Sequence, residues 1–515
     1  MQDSPTPSPR WILHPALLAA AFVLELALAN RIEPAGFGRS LVIAVVVGIG
    51  LTLAAWAITR DRWIGGLTAT ALILAIVSFI PIFEAWRLLD RLLGASGAVA
   101  VIGLVVFAFV AIPVIQRARV RRGAGQIRRP LTSVLNRLGA VILLAIIGFN
   151  WLPDVPGSVA DAFRTREDAS VRPTQDPPDI WVILLDGYPR ADVLERRFGI
   201  DNSPFLGELE HLGFDVGTDN HSNYVFTQLT LASMFQMRYL DEVAGVAPLV
   251  GKPGGHVNAL RNAMVDSPAF RALLSAEYQI IVTQPGYEQV SIRGAADRLL
   301  DHGEMNDLER GLLKRTWLLD PLGALIPTIL TGPPRDRVVN GFDDIDRLLA
   351  EPHAARFVWI HVPAPHLPLA LDAFGQAIPL DPRRFDGADA AGFDMTEAQF
   401  AAAYEDELSY LNLRVLAAVS SIQERNGRAN PVILVMSDHG YTSDRTDPQA
   451  SLGNLFAAYT PGEPGLLADA PTPVNVMPLL LNEFLGGAFP TSPDRYFLSP
   501  SEFQLLELTE VPNPD

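Results

Sequence analysis

The sequence predicts a block of transmembrane helices followed by one large α/β domain, its central sheet mostly parallel and sandwiched by helices. Three observations carry this. Of 515 residues, 49% are hydrophobic, too apolar and too long for one ordinary soluble domain. Five apolar segments follow one another before residue 153, and short apolar runs alternate with helical patterns after residue 179, the pattern of strands and crossover helices. Charge divides at the same place: 14 arginines against 6 acidic residues up to position 153 give that part +8, so the overall −17 leaves −25 for the rest. The acidic remainder is not built to bind nucleic acid. Cysteine is absent, which excludes a disulfide framework and any thiolate metal site.

The apolar segments cover about 11–28, 41–59, 64–83, 95–115 and 138–152, most approaching the roughly 20 residues that span hydrocarbon. The fifth is shorter, but Trp151 suits an interfacial anchor. Between the fourth and fifth lie Arg117, Arg119, Arg121, Arg122, Arg128, Arg129 and Arg137, and the positive-inside rule puts them in the cytoplasm. Arg10, Arg60 and Arg62 then also fall inside, and Arg31, Arg39, Arg87 and Arg91 outside. Glu25 lies near the outer end of the first span, close enough to the surface to snorkel. The expected organisation is therefore a five-span domain at 1–153, a Pro-, Asp- and Arg-rich linker at 154–178, and an extracytoplasmic domain at 179–515.

Within that domain, 180–185, 280–283, 357–362 and 432–436 read as strands, and 206–212, 227–240, 259–278 and 397–425 as helices. The run PVILVMSDHG at 431–440 is the most informative. It reads as a strand buried on both faces, and its apolar character stops abruptly at Ser437, Asp438, His439 and Gly440. Sites in open α/β sheets are built at carboxyl ends of strands, so an adjacent carboxylate and imidazole there suggest metal ligation. Asp186 ends the run IWVILLDG in the same way, with helix capping as the alternative. Thr227 opens a helix, where backbone amides and the macrodipole favour an alkoxide or phosphate; threonine is also an ordinary N-cap. In WIHVPAPHLPL, His366 sits in the loop after a strand, as a proton donor, a ligand or a solvent-exposed residue. His361 reads as a hydrogen-bonded neighbour of a ligand or as a core residue.

In order these are a strand-end Asp, a helix-start Thr, a His-x-Pro loop and a strand-end Asp-His-Gly. This order resembles the sulfatase-like branch of the alkaline phosphatase superfamily. More narrowly it is similar to its membrane-anchored transferases, the lipoteichoic acid synthases and lipid A phosphoethanolamine transferases. The resemblance implies an alkaline-phosphatase-like fold, Asp186 as first metal ligand (Glu in the named transferases), Thr227 as nucleophile, Asp438 and His439 as further ligands, and His366 as the substrate-facing histidine. Thr230, at the serine position of the sulfatase C-x-P-S-R pattern, is the reserve nucleophile. Threonine at position 227 cannot become formylglycine, which favours phosphoryl over sulfate chemistry. Gly187 and His439 depart from the calcium-binding Asp-Asp and Asp-Asn set, and nitrogen ligation favours zinc or manganese over calcium or magnesium.

The resemblance further implies a phospholipid donor, a glycan or lipid acceptor, and transfer at the outer face of a bacterial cytoplasmic membrane. A hydrolase of the same superfamily and a non-catalytic envelope protein keeping the fold are the alternatives. His221, Arg238, His256 and Asp444 are further polar candidates that nothing in the sequence separates. Lys314, Arg315 and Trp317 precede an apolar run at 318–330, a composition that suits either a membrane interface or a core helix.

Overall fold

A computed structural model describes residues 11–29, 32, 34–77, 125–151, 171, 177–254, 256–352, 354–379, 395–427, 430–443, 446–463, 465–467 and 471–514. The fourth expected span and nearly all of the 154–178 linker lie outside these residues, as does Asp444. The chain forms two compact units, one N-terminal but including Asp307–Leu325, the other holding 166–306 and 326–515.

The first unit contains helices His14–Ala29, Pro34–Thr59, Arg62–Val77 and Gly125–Trp151. Two of them, Pro34–Thr59 and the stretch Leu131–Gly148, are long and apolar enough to cross a membrane; His14–Ala29 and Arg62–Val77 are apolar but shorter. The expected count of five spans is thus represented, among the described residues, by two of spanning length. The basic stretch read as a loop is helical from Gly125 onward. Small residues let helices approach: a Cβ on Gly48 would lie 2.7 Å from the Ala16 Cα, and one on Gly65 2.7 Å from the Trp56 nitrogen. Asn136 Oδ1 accepts from the Leu13 and His14 amides at 3.0 and 2.9 Å, satisfying donors that the start of a helix leaves unpaired.

The second unit is built on a seven-stranded sheet of β1 (Ile180–Leu185), β2 (Asp215–Val216), β3 (Gln279–Thr283), β4 (Arg298–Leu300), β5 (Arg356–Val362), β6 (Val432–Met436) and β7 (Phe456–Tyr459). Their spatial order is β2-β7-β6-β1-β5-β3-β4. The five strands from β6 to β4 are parallel, while β7 runs antiparallel to β6 and β2 to β7. The sheet is mostly parallel, as expected. The strands absent from the sequence reading, β2, β4 and β7, are short outer ones whose few residues establish no period. A separate pair, β8 (Tyr496–Leu498) and β9 (Thr509–Val511), is antiparallel.

β1 is buried along its whole length, as a run of Ile, Trp, Val and Leu between two parallel neighbours requires. Ile180, Val182 and Leu184 face a core with Phe357, Trp359, Val432, Leu434, Met436 and the helix Thr227–Gln236. Trp181, Ile183 and Leu185 face the opposite core, with helices Gly332–Leu349 and Glu397–Arg425. Helices therefore cover both faces. Glu397–Arg425 begins at a capping box of Thr396 and Gln399. The single helix expected at 259–278 is two, because Ser267 caps a new start by accepting the Phe270 amide at 3.4 Å with Pro268 following. The helix from Thr227 stops at Gln236, where Met237 turns left-handed at φ 54°.

Candidate metal centre

The neighbouring parallel strands β6, β1 and β5 end on one side of the sheet, where polar side chains can converge without disturbing the core. Asp186 directly follows β1, and its amide still bonds the Val362 carbonyl at 3.0 Å. His361 lies in β5, in register with Leu184, which also pairs with Met436 of β6. Because alternate residues share a face, Asp186, His361 and Asp438 continue the phase of Leu184, Trp359 and Met436. That is the face on which Thr227–Gln236 packs.

An oxygen of Asp186, a ring nitrogen of His366 and one of His439 lie within 4.8 Å of one another. His439 Nε2 is 3.3 Å from Asp438 Oδ2 and 3.8 Å from Asp186 Oδ1. Each carboxylate has one oxygen anchored: Asp186 Oδ2 faces His361 Nε2 at 3.2 Å, and Asp438 Oδ1 accepts the Gly187 amide at 3.0 Å. Their other oxygens, Asp186 Oδ1 and Asp438 Oδ2, are buried without hydrogen-bond partners. The Nδ1 atoms of His439 and His366 lie 2.8 and 2.7 Å from the carbonyls of Gly440 and Leu367. That contact keeps the proton on Nδ1 and turns the Nε2 lone pair of His439 toward the carboxylates. Two buried carboxylate oxygens facing an imidazole lone pair are costly unless a cation lies among them, and this oxygen and nitrogen set fits a divalent one. Burial acts to raise the Asp186 carboxyl, but the neighbouring imidazoles of His366, His361 and His439, His361 through a hydrogen bond, outweigh it and hold the group below the ordinary carboxylate range.

The two glycines of the Asp-Gly and His-Gly pairs have steric causes. Gly187 adopts φ +69°, and a Cβ there would lie 3.3 Å from His439 Cε1. A Cβ on Gly440 would lie 2.3 Å from the carbonyl oxygens of both Ala450 and Gly453. Only glycine lets the chain turn directly behind Asp186 and His439.

An open cleft borders the centre, lined by His366, His439, Tyr404, Tyr441, Thr442 and Ser443 among others. The structure thus brings Asp186, His366, Asp438 and His439 together, with His361 behind Asp186. Thr227 is buried in the first turn of its helix, which has no side-chain cap. Thr230 is fully buried and donates to the Tyr224 carbonyl at 3.3 Å. Of the other polar candidates, His221 lies 3.1 Å from Arg190 Nη1, Arg238 is exposed, and His256 Nε2 lies 3.2 Å from the Lys252 carbonyl.

Sequence reading missed Tyr404 and Glu407. Both are buried on Glu397–Arg425, among Phe400, Leu408, Leu411 and Val415; an acid in that apolar stripe was the available signal. Glu407 Oε1 accepts the Ala370 amide at 3.0 Å, bracing the loop that carries His366. Burial pushes the Glu407 carboxyl up to about 8, against the lowering effect of the Ala370 and Leu371 amides. Folding therefore takes up a proton between the ordinary value of 4.5 and about 8, so stability falls as pH rises through that window. Glu407→Gln is expected to remove this slope. Melting curves should show its Tm rising relative to wild type between roughly pH 5 and pH 9.

The fold and site together describe an α/β domain with a strand-end centre suited to a divalent cation. No family model matches the chain, and no curated protein matches it. Among solved structures, it is similar to the C-terminal periplasmic domain of EcEptC from Escherichia coli at 10% identity, covering 66% of this chain and 95% of that one with a TM-score of 0.41. The integral membrane lipooligosaccharide phosphoethanolamine transferase A from Neisseria meningitidis is 11% identical, with 87% of each chain covered and a TM-score of 0.37. A phosphonate monoester hydrolase from Silicibacter pomeroyi is 15% identical, with 63% of this chain and 80% of that chain covered and a TM-score of 0.40. Phosphoethanolamine transferases, named by the ordered motifs, are thus among the structural neighbours. At such scores the functional reading rests on the residues of the site.

Proposed function

We propose that the chain is a metal-dependent phosphotransferase of the sulfatase-like branch of the alkaline phosphatase superfamily. It moves a phosphorylated headgroup from a phospholipid to an envelope glycan or lipid at the outer face of the bacterial cytoplasmic membrane. The observation that carries this reading is the pair of unpartnered buried oxygens on Asp186 and Asp438 facing His439. Asp186, Asp438, His439 and the Thr227 hydroxyl would hold the cation, zinc or manganese before calcium or magnesium. When bound, such an ion lowers the pKa of a coordinated hydroxyl and neutralises charge on phosphoryl oxygens.

Thr227 Oγ would attack the phosphorus of the donor diester as an alkoxide whose proton has passed to solvent, the bond to the diacylglycerol oxygen breaking, and would leave as the same alkoxide in the second step. A hydroxyl of the acceptor then attacks the threonine-bound phosphorus and releases Thr227, a two-step ping-pong route. His366, half-buried on the cleft wall, gives a proton to the departing oxygen and takes one from the incoming hydroxyl. On this assignment His366→Ala keeps its metal, measured by elemental analysis, while turnover falls by about 10²-fold or more. Loss of metal in that variant would instead make His366 a ligand.

Mass spectrometry after incubation with mixed phospholipids tests the nucleophile. A phosphoryl adduct is expected on Thr227, absent from Thr227→Ala together with transfer activity. A missing adduct in wild type, or full activity in the variant, would refute the route. Water as second acceptor gives a hydrolase with the same centre, and the ratio of free to transferred headgroup separates the two.

A further inference from the structure

Within the first unit, three helix ends meet one segment that arrives from far along the chain. Leu308 is buried with Leu24, Leu26, Ala27, Ile32 and Phe37, and Leu312 packs beside them. Glu309 accepts twice from Arg39, at 2.8 and 2.5 Å, and faces Ser40 Oγ at 3.3 Å. Arg315 Nη1 lies 3.3 Å from Glu25 Oε2. The Trp317 amide donates to the Ile76 carbonyl at 3.2 Å. Glu25, Arg39 and Ile76 belong to the ends that arginine placement assigns to the outside. Helix Asp307–Lys314 therefore lies against the outer ends of the first two apolar helices, and Trp317 just beyond it reaches the third.

Beyond Lys314 exposed apolar residues are interspersed with buried Leu319 and one exposed acid, Asp320. Trp317 and Leu318 are each 42% exposed and Leu325 79%, on a segment that begins with Lys314 and Arg315. Exposed apolar side chains resume one turn beyond Arg39, at Val42, Ile43 and Val46 of helix Pro34–Thr59, the surface a spanning helix turns to lipid. A basic pair, then Trp, then leucines interrupted by a single exposed acid, Asp320, held at the end of such helices, has the composition of a segment seated at the headgroup boundary.

We propose that Trp317–Leu325 is an interfacial anchor, inserted in the outer leaflet with Lys314 and Arg315 level with its anionic phosphates. It rests on the reading of the N-terminal helices as membrane-spanning.

The absence of native cysteine allows single spin labels in the full chain. Leu325→Cys, Val46→Cys and Phe374→Cys would be compared in vesicles of phosphatidylethanolamine and phosphatidylglycerol, using collision with oxygen against a polar nickel chelate. Phe374 is 85% exposed in the second unit and serves as the aqueous reference. The expected oxygen-to-nickel ratio at Leu325 is several-fold above that at Phe374 and below that at Val46. A ratio at Leu325 equal to that at Phe374, with Val46 in lipid, overturns the anchor alone. Shielding of Leu325 from both reagents means contact with protein and also overturns it. Val46 reading as aqueous overturns the spanning assignment and the anchor with it.

Discussion

Asp438→Asn is expected to empty the proposed metal centre and lower activity by more than about 100-fold, since on the proposed route the ion would supply both nucleophile activation and charge neutralisation. The substitution is nearly isosteric. Its amide oxygen can keep the Gly187 amide that Asp438 Oδ1 accepts at 3.0 Å, so the turn after β1 survives. The amide nitrogen then takes the place of Oδ2, 3.3 Å from His439 Nε2, and donates to the lone pair the cation requires. One change thus removes a ligand charge and ties up a second ligand. Elemental analysis should show metal falling toward zero. In wild type, a chelator should lower the Tm, because an ion at about 100 times its Kd stabilises by about 2.7 kcal/mol. In Asp438→Asn the chelator should change nothing. An unaltered metal content in the variant would contradict the centre described above.

The parts of this centre that sequence could disclose were those marked by a break in pattern. Asp186 and Asp438-His439 stand out because each follows an uninterrupted apolar run, where packing has no use for charge. The four central strands were legible for the same reason: both faces are buried, so nearly every residue must be apolar. β4 reads Arg-Leu-Leu and β7 Phe-Ala-Ala-Tyr, segments too short and mixed to show a period. Glu407 was marked only by being an acid within the apolar stripe of its helix. Pairings between distant residues left no local trace at all. Asp186 with His361 is separated by 175 positions, and Arg39 with Glu309 by 270. The composition of Lys314, Arg315 and Trp317 suited either a membrane interface or a core helix, and their contacts with Glu25 and Ile76 left no local trace.

At the opposite end of the sheet from the metal centre, Asp179→Ala is expected to destabilise the second unit by about 3–5 kcal/mol, the cost of stranding a buried charge. Asp179 is fully buried and Arg356 1% exposed. Asp179 Oδ1 accepts the Arg356 amide at 3.1 Å, and Oδ2 lies 3.4 Å from Arg356 Nε. Its carbonyl accepts the Val432 amide at 2.8 Å. One residue therefore fixes the starts of β1, β5 and β6 together. Without it the guanidinium keeps the Leu348 carbonyl at 2.8 Å and the Trp181 ring at 4.6 Å, neither of which carries a compensating charge. Burial already lowers the Arg356 pKa, with Asp179 the main group opposing that effect. Replacing both partners, Asp179→Ala with Arg356→Met, removes the stranded charge and should recover part of the loss. Denaturant melts of the full chain followed by tryptophan emission read the effect. Because the pair sits far from the ligands, metal content per folded molecule should stay at the wild-type level, opposite to Asp438→Asn. Asp179→Ala melting like wild type would show that the pair does not set the register of the central strands.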